Sequence, residues 1–372
     1  MTRSTHYRKI GEMLKDKKIL ITGGAGFIGT SLLRALIEDN QITVIDNLHR
    51  DSLTHTPLFR HPHLRFVQGD VRDQALIRRH VCCKTHILHL AAIAGVNTVL
   101  QNPLLTMDVA IKGALNVFEA ALNCPTLERL IDVSTSEVFG RQASGVSEQD
   151  DTALGPAGES RWSYAASKLV AEHLSHAMHR EHRIPVVVVR PFNVFGPGQV
   201  GEGAVHHFVR QAIAGKPLTI YGDGRHVRAW CYIDDFVDGL LKCLVLPGAV
   251  GRTFNIGNPD NAVSVNQLAS LVIKLSGSRS QILYRKPDCS DVVTRIPDIT
   301  HAQTVLSFYP QTNIEEGLKN TIDWYNCFDM AAMRRPVAAP VLQNAALETS
   351  GGAITKPETI AHVKGAHNYG PH

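Results

Sequence analysis

Tyr164 and Lys168 stand four residues apart in Tyr164-Ala-Ala-Ser-Lys168, so on a helix they share a face. A free phenol has a pKa of about 10 and is a poor base at neutral pH. A cation fixed beside it stabilises the phenolate and lowers that value. The spacing therefore predicts a tyrosine tuned by the Lys168 ammonium to take a proton from an alcohol, provided something else accepts hydride from the same carbon. Taken alone, a surface lysine on an amphipathic helix explains the pattern as well. A second polar group lies upstream in Val133-Ser134-Thr135-Ser136-Glu137-Val138-Phe139-Gly140. Thr135 can donate to, or relay a proton from, the oxygen that Tyr164 handles, and Glu137 can act as acid or base on a neighbouring carbon. Turn-forming chemistry is the plainer explanation of the Ser, Thr and Gly content.

The hydride acceptor is implied by Ile19-Leu-Ile-Thr-Gly23-Gly-Ala-Gly26-Phe27-Ile28-Gly29, an apolar run followed by glycines and a helix-like segment from Ser31 to Glu38. A dinucleotide pyrophosphate needs backbone N–H groups at a helix start, and only side-chain-free residues let it approach them. Asp46 ends the next apolar run, where an acidic residue would hold a ribose hydroxyl, with Asn47 beside it.

Strand-like runs at 18–22, 42–46, 65–68, 86–90, 130–134 and 186–190 alternate with helix-length segments. Val186-Val-Val-Val189 is apolar on consecutive positions, as expected of a strand covered on both faces. The expected fold is α/β: a Rossmann-type doubly wound parallel sheet over 18–190, with a smaller C-terminal substrate-binding subdomain over about 191–330. Segments of the latter can return to the sheet. Residues 1–17 read as a loosely attached arm, and 331–372, rich in Ala, Pro, Gly and Thr, as a mobile tail.

At 372 residues, with 44% hydrophobic and 19% charged residues, the chain has the make-up of a soluble globular enzyme. A net charge of +4 without a basic run gives no indication of nucleic acid. Seven cysteines without paired spacing predict reduced thiols and a cytoplasmic setting. The 19 histidines are scattered, and His61/His63 and His206/His207 read as surface or loop residues rather than metal ligands. No apolar run approaches the length of a membrane span.

Together these motifs make the chain resemble the extended short-chain dehydrogenases/reductases of the nucleotide-sugar epimerase/dehydratase type, over about residues 17–326. The resemblance implies that Gly23, Gly26, Phe27, Ile28, Gly29, Asp46 and Asn47 hold NAD. It implies further that Asp70 and Val71 meet the adenine, and that Leu90, Ala91 and Ala92, after His89, line the nicotinamide side. Tyr164, Lys168 and Thr135 would form the catalytic core. Asn193 and Arg228 would meet the diphosphate of a nucleotide sugar, for which a guanidinium fork is well shaped. A structural ion pair of Arg228 with Asp234 or Asp235 is the alternative. A homodimer through helices near 103–122 and 162–180 is also implied.

Three reactions through a 4-keto sugar compete. A 4-epimerase needs no third acid/base, so Glu137 is surplus to it. A 4,6-dehydratase of the glucose type usually has aspartate where Ser136 stands. The Thr-Ser-Glu-Val run and Asp291-Val-Val-Thr-Arg295-Ile-Pro297-Asp298 resemble the UDP-glucuronate decarboxylases, whose arginine reaches the C6 end of the sugar. Arg161-Trp162 resembles the bacterial uronate-decarboxylase domains of lipid A modification, and Ala92-Ile-Ala-Gly-Val-Asn97 looks more like a 4-epimerase loop. UDP-glucuronate decarboxylation is the favoured expectation, with Ser136, Glu137 and Arg295 in its site. UDP-sugar 4-epimerisation is the alternative, then dehydration. A non-catalytic NAD-binding scaffold comes last.

Overall fold

A computed structural model describes residues 13–287, 289 and 292–327. The expected tail at 331–372, most of the expected arm and Asp291 lie outside the described residues. Along the chain the strands are β1 (Lys18–Thr22), β2 (Gln41–Asp46), β3 (Leu64–Gln68), β4 (His86–His89), β5 (Arg129–Val133), β6 (Gln142–Val146), β7 (Val186–Pro191), β8 (Val194–Phe195), β9 (Leu218–Tyr221), β10 (Val227–Ala229), β11 (Cys231–Tyr232), β12 (Thr253–Ile256), β13 (Ala262–Ser264), β14 (Ile282–Arg285) and β15 (Thr294–Pro297). The helices used below are α1 (Phe27–Leu36), α2 (Gln74–Val81), α3 (Val96–Gln101), α4 (Pro103–Leu122), α5 (Ser163–His182), α6 (Ala204–Ile213) and α7 (Ile233–Val245).

Seven strands form one sheet in the order β12-β7-β5-β4-β1-β2-β3, and every neighbouring pair is parallel. All six runs expected as strands lie in it. The seventh, β12, comes from residues 253–256, so the chain does return to the sheet after residue 191. A second sheet, β13-β10-β15-β6, mixes distant segments, with β6 lent from before residue 190.

The period-2 alternation of strands explains why these runs are continuously apolar. Ile19 and Ile21 of β1, Ile131 and Val133 of β5, and Val187 and Val189 of β7 face one core, built with Leu32, Leu33 and Leu36 of α1 and Phe236 of α7. Leu20, Leu130 and Val186 face the other, built with Ile77 of α2, Val117 and Phe118 of α4 and Ala171 of α5. Each such buried side chain contributes about 1.5–3 kcal/mol over an exposed one. The end of the expected arm is not loose: Leu14 is buried in the first core, and Asp16 N–H donates to Asp39 O at 2.9 Å. His206 is also no surface residue; it is buried, with Nδ1 2.6 Å from the Tyr325 hydroxyl.

Candidate active site

The carboxyl ends of β1, β2, β4, β5 and β7 open into one cleft of about 970 Å³. Gly23, Gly26, Phe27, Ile28, Gly29, Asp46, Asn47, Asp70, Val71, Leu90, Ala91 and Ala92 line it. So do Thr135, Ser136, Glu137, Tyr164, Lys168, Asn193, Arg228 and Arg295. The expected site residues are thus all in one place, as a doubly wound sheet dictates.

At the dinucleotide end, Gly23 sits at φ +71°, and a Cβ there would lie 2.7 Å from the Ala91 nitrogen. A Cβ on Gly29 would lie 2.5 Å from Gly24 Cα, so this glycine lets α1 start against the turn itself. The Asp46 carboxylate accepts from Ala25 N–H at 2.9 Å and Leu48 N–H at 2.7 Å, and so ties the glycine turn to the loop after β2. Asp70 is gripped by Arg72, with Nε–Oδ1 3.0 Å and Nη2–Oδ2 2.7 Å. A turn that side chains would fill, N–H groups at a helix start and an acidic strand end fit the pyrophosphate and ribose of NAD.

The catalytic end is set by α5 lying against the end of β5. Thr135 caps a short 3-10 turn (Ser136–Phe139), accepting from Glu137 N–H at 3.2 Å, and acts to lower the Tyr164 phenol. Lys168 has a strong acceptor on β5. Its Nζ donates to Val133 O at 2.7 Å, and burial pushes the Tyr164 phenol above its ordinary value, with Glu137 adding to the rise. In this arrangement burial, rather than the Lys168 ammonium, is the largest influence on the phenol.

Glu137 is held by two arginines. Arg161 Nη1 is 2.6 Å from Oε2 and Nη2 3.1 Å from Oε1, and Arg295 Nη1 is 3.6 Å from Oε1. Burial acts to raise the Glu137 carboxyl, but Arg161 and Arg295 outweigh it and hold it below the ordinary range. Glu137 is consequently a fixed anion rather than a proton donor. Arg295 is buried and also donates from Nη2 to Gly140 O at 3.1 Å. The sequence pointed to Arg161 only through the resemblance carried by Arg161-Trp162 and did not count it among the site residues, although it stands three residues before Tyr164.

Asn193 adopts φ +40°, a left-handed conformation that asparagine tolerates, and its Nδ2 donates to Ala229 O at 2.9 Å. Arg228 spreads its guanidinium over the carbonyls of Val227, Val292 and Val293 while lining the cleft. Asp235, one candidate partner for it, accepts instead from Gln311 and Thr312 N–H. At the cleft mouth Glu202, also unforeseen, accepts from Asn97 N–H at 2.8 Å and Thr98 N–H at 2.9 Å. Among the described residues there is no cluster of three or more metal-ligating side chains, and no helix is long and apolar enough to cross a membrane.

Residues 19–257 match the family described as "NAD dependent epimerase/dehydratase family". The chain belongs to that family. It is similar to the UDP-N-acetyl-alpha-D-glucosaminuronate decarboxylase of Bacillus cytotoxicus, 31% identical over 83% of this chain and 98% of that protein. It is 34% identical to UDP-glucuronic acid decarboxylase 1 of Xenopus tropicalis, over 84% of this chain and 73% of that one. Among solved structures it resembles the UDP-glucuronic acid 4-epimerase of Bacillus cereus in complex with UDP-glucuronic acid and NAD, with TM-score 0.74, 30% identity, and 83% and 99% of the two chains covered. The fold is thus the Rossmann-type α/β fold of these enzymes, the protein is an enzyme, and its cofactor is NAD.

Proposed function

We propose that the protein converts a UDP-linked uronic acid through a 4-keto sugar, with UDP-glucuronate decarboxylation as its reaction. The observation that carries this reading is the pair of guanidinium groups, Arg161 and Arg295, at Glu137 in the cleft that Thr135 and Tyr164 also line. Guanidinium groups lining the cleft at that point suit a sugar whose C6 is a carboxylate.

When bound, NAD supplies the hydride acceptor at C4 and returns the hydride at the end; Gly23, Gly26, Gly29 and Asp46 hold it, with Asp70 and Val71 at the adenine. Tyr164 takes the proton of the 4-hydroxyl, and the Thr135 hydroxyl, lining the same cleft, donates to that oxygen. Once C4 is a ketone, the C6 carboxylate is that of a β-keto acid. The C5–C6 electron pair passes to the C4 oxygen as CO₂ leaves, and Tyr164 and Thr135 stabilise the resulting enolate. C5 then takes up one proton from solvent water, and the proton held by Tyr164 returns to the C4 oxygen when the carbonyl is reduced. Glu137, ionised throughout, orients the arginines toward the carboxylate. Asn193 and Arg228 are proposed to bind the diphosphate.

UDP-uronate 4-epimerisation is the second reading. It is favoured by the loop Ala92–Asn97, which lines the cleft and looks like that of the 4-epimerases, and it would use the same substrate and the same Tyr164. Proton NMR of the protein with UDP-glucuronate separates the two. A UDP-pentose with loss of the C6 carboxylate is the expected result. UDP-galacturonate without loss of carbon would replace decarboxylation by epimerisation, and no turnover of either kind would overturn both. We further propose a homodimer through α4 and α5, supported by the exposed Leu104, Leu105, Leu122 and Val170 on these helices, and a cytoplasmic location.

A further inference from the structure

The face of α5 that carries Tyr164 and Lys168 continues for two more turns into the interior, where it meets β5 one polar residue at a time. Lys168 Nζ donates to Val133 O at 2.7 Å. Glu172 accepts from the Ser134 hydroxyl and, in bidentate fashion, from Arg190 on β7, with Nη2–Oε2 2.7 Å and Nε–Oε1 3.0 Å. Ser175 donates to Asp132 Oδ2 at 3.0 Å. Asp132, Ser134, Lys168, Glu172 and Ser175 are each no more than 3% exposed.

Counting charges in this buried strip isolates one residue. Arg190 occupies Glu172 with a two-pronged pair, which leaves Lys168 without an anion of its own unless Asp132 supplies it. Asp132 Oδ1 has no hydrogen-bond partner, and Oδ2 is bonded only to the neutral Ser175 hydroxyl. Burial raises the Asp132 carboxyl, the Lys168 charge is the first of the influences that lower it again, and a neutral side chain would hold Ser175 as well. Its position is also fixed: Asp132 lies in register with His89 on β4 and directly precedes Val133, whose carbonyl holds Lys168. The titratable and charged groups about it are Tyr164, Lys168 and Glu172 on α5, His89 on β4, and Arg190 on β7 through Glu172. His89 is neutral there, since burial and the Lys168 charge push it down to about 3.

We propose that Asp132 is the buried counter-charge of Lys168, a positioning residue that keeps the ammonium charged in the interior and sets the pH range over which the Tyr164–Lys168 pair works. The inference rests on the reading of that pair as catalytic. Burial pushes Lys168 down, while Asp132 and then Glu172 push it back up; Asp132 is also among the groups that raise Tyr164. Removing the Asp132 charge therefore lowers both values, and both limbs of the pH profile move toward acid.

The test is Asp132→Asn, which keeps the shape and a partner for Ser175, compared with the wild type in kcat against pH and in Tm. A displacement of the profile to lower pH by about one unit is expected, with the loss at alkaline pH the larger effect. Should Asp132→Asn not fold, Asp132→Ser carries the same expectation. A lowered Tm with an unmoved profile makes Asp132 merely structural and overturns the proposal, as does a profile moved to higher pH. Tyr164→Phe run alongside separates the two levels. If it turns over normally, the catalytic pair itself is misassigned; if it is inactive while the Asp132→Asn profile stays in place, only the counter-charge role fails.

Discussion

Arg161→Gln removes the cation closest to Glu137 and should be more costly than its position in a solvent-accessible cleft suggests. Breaking a fully buried pair costs about 3–5 kcal/mol because one charge is left uncompensated, whereas exposed pairs are worth less than about 1 kcal/mol. This pair lies between those limits. The Arg161 side chain is 5% exposed and that of Glu137 19%, and Arg295 remains 3.6 Å away to share the orphaned charge. The expected loss is about 2 kcal/mol at pH 7, or about 3 °C in Tm for a domain of this size. The pH dependence fixes the sign. Glu137 is held below its ordinary 4.5, so its contribution is fully present above that value and is lost as pH falls through the folded one. The difference between wild type and Arg161→Gln should then shrink as the pH is lowered below about 4.5. Denaturant unfolding of the wild type, Arg161→Gln, Glu137→Gln and the double variant gives the coupling directly. Additivity within about 0.5 kcal/mol at pH 7, or a difference that grows on acidification, would refute the assignment of a charged Arg161–Glu137 pair.

Tyr164→Phe should lower kcat by about 10²–10⁴-fold while leaving bound NAD in place, read from turnover and from cofactor released on denaturation. Gly23→Ala combines a positive φ with a Cβ 2.7 Å from the Ala91 nitrogen. It should cost about 1–3 kcal/mol and weaken NAD retention, and an unaltered Tm would contradict the packing of that turn. Glu172→Gln leaves Arg190 buried opposite a neutral group and should destabilise by about 3–5 kcal/mol. Lys17→Ala breaks only the exposed pair with Glu128, 2.7 Å apart, and should cost less than about 1 kcal/mol; equal losses in the two variants would contradict the burial argument.

Much of this molecule was set by local patterns that any chain segment carries within itself. The glycine turn at 23–29 needs only its own residues and the strand before it, because backbone approach to a helix start is a short-range requirement. The six runs that became strands could be recognised because a strand buried on both faces must be apolar at every position, as 186–189 is. Tyr164 and Lys168 share a helix face by spacing alone. What the spacing could not decide was where the Lys168 ammonium would go: a flexible side chain takes the nearest strong acceptor, and that is a carbonyl of β5 rather than the phenol. Nor could it assemble Arg161, Glu137 and Arg295, which come from three separate segments and meet only when β15 pairs with β6 beside the end of β5. The shifts at Tyr164 and Glu137 were likewise beyond the sequence, since burial raises both and only at Glu137 do two packed guanidinium groups outweigh it. Local periodicity fixed the elements and the cofactor turn, while the balance of buried charge, a property of the packed structure, decided what those residues can do.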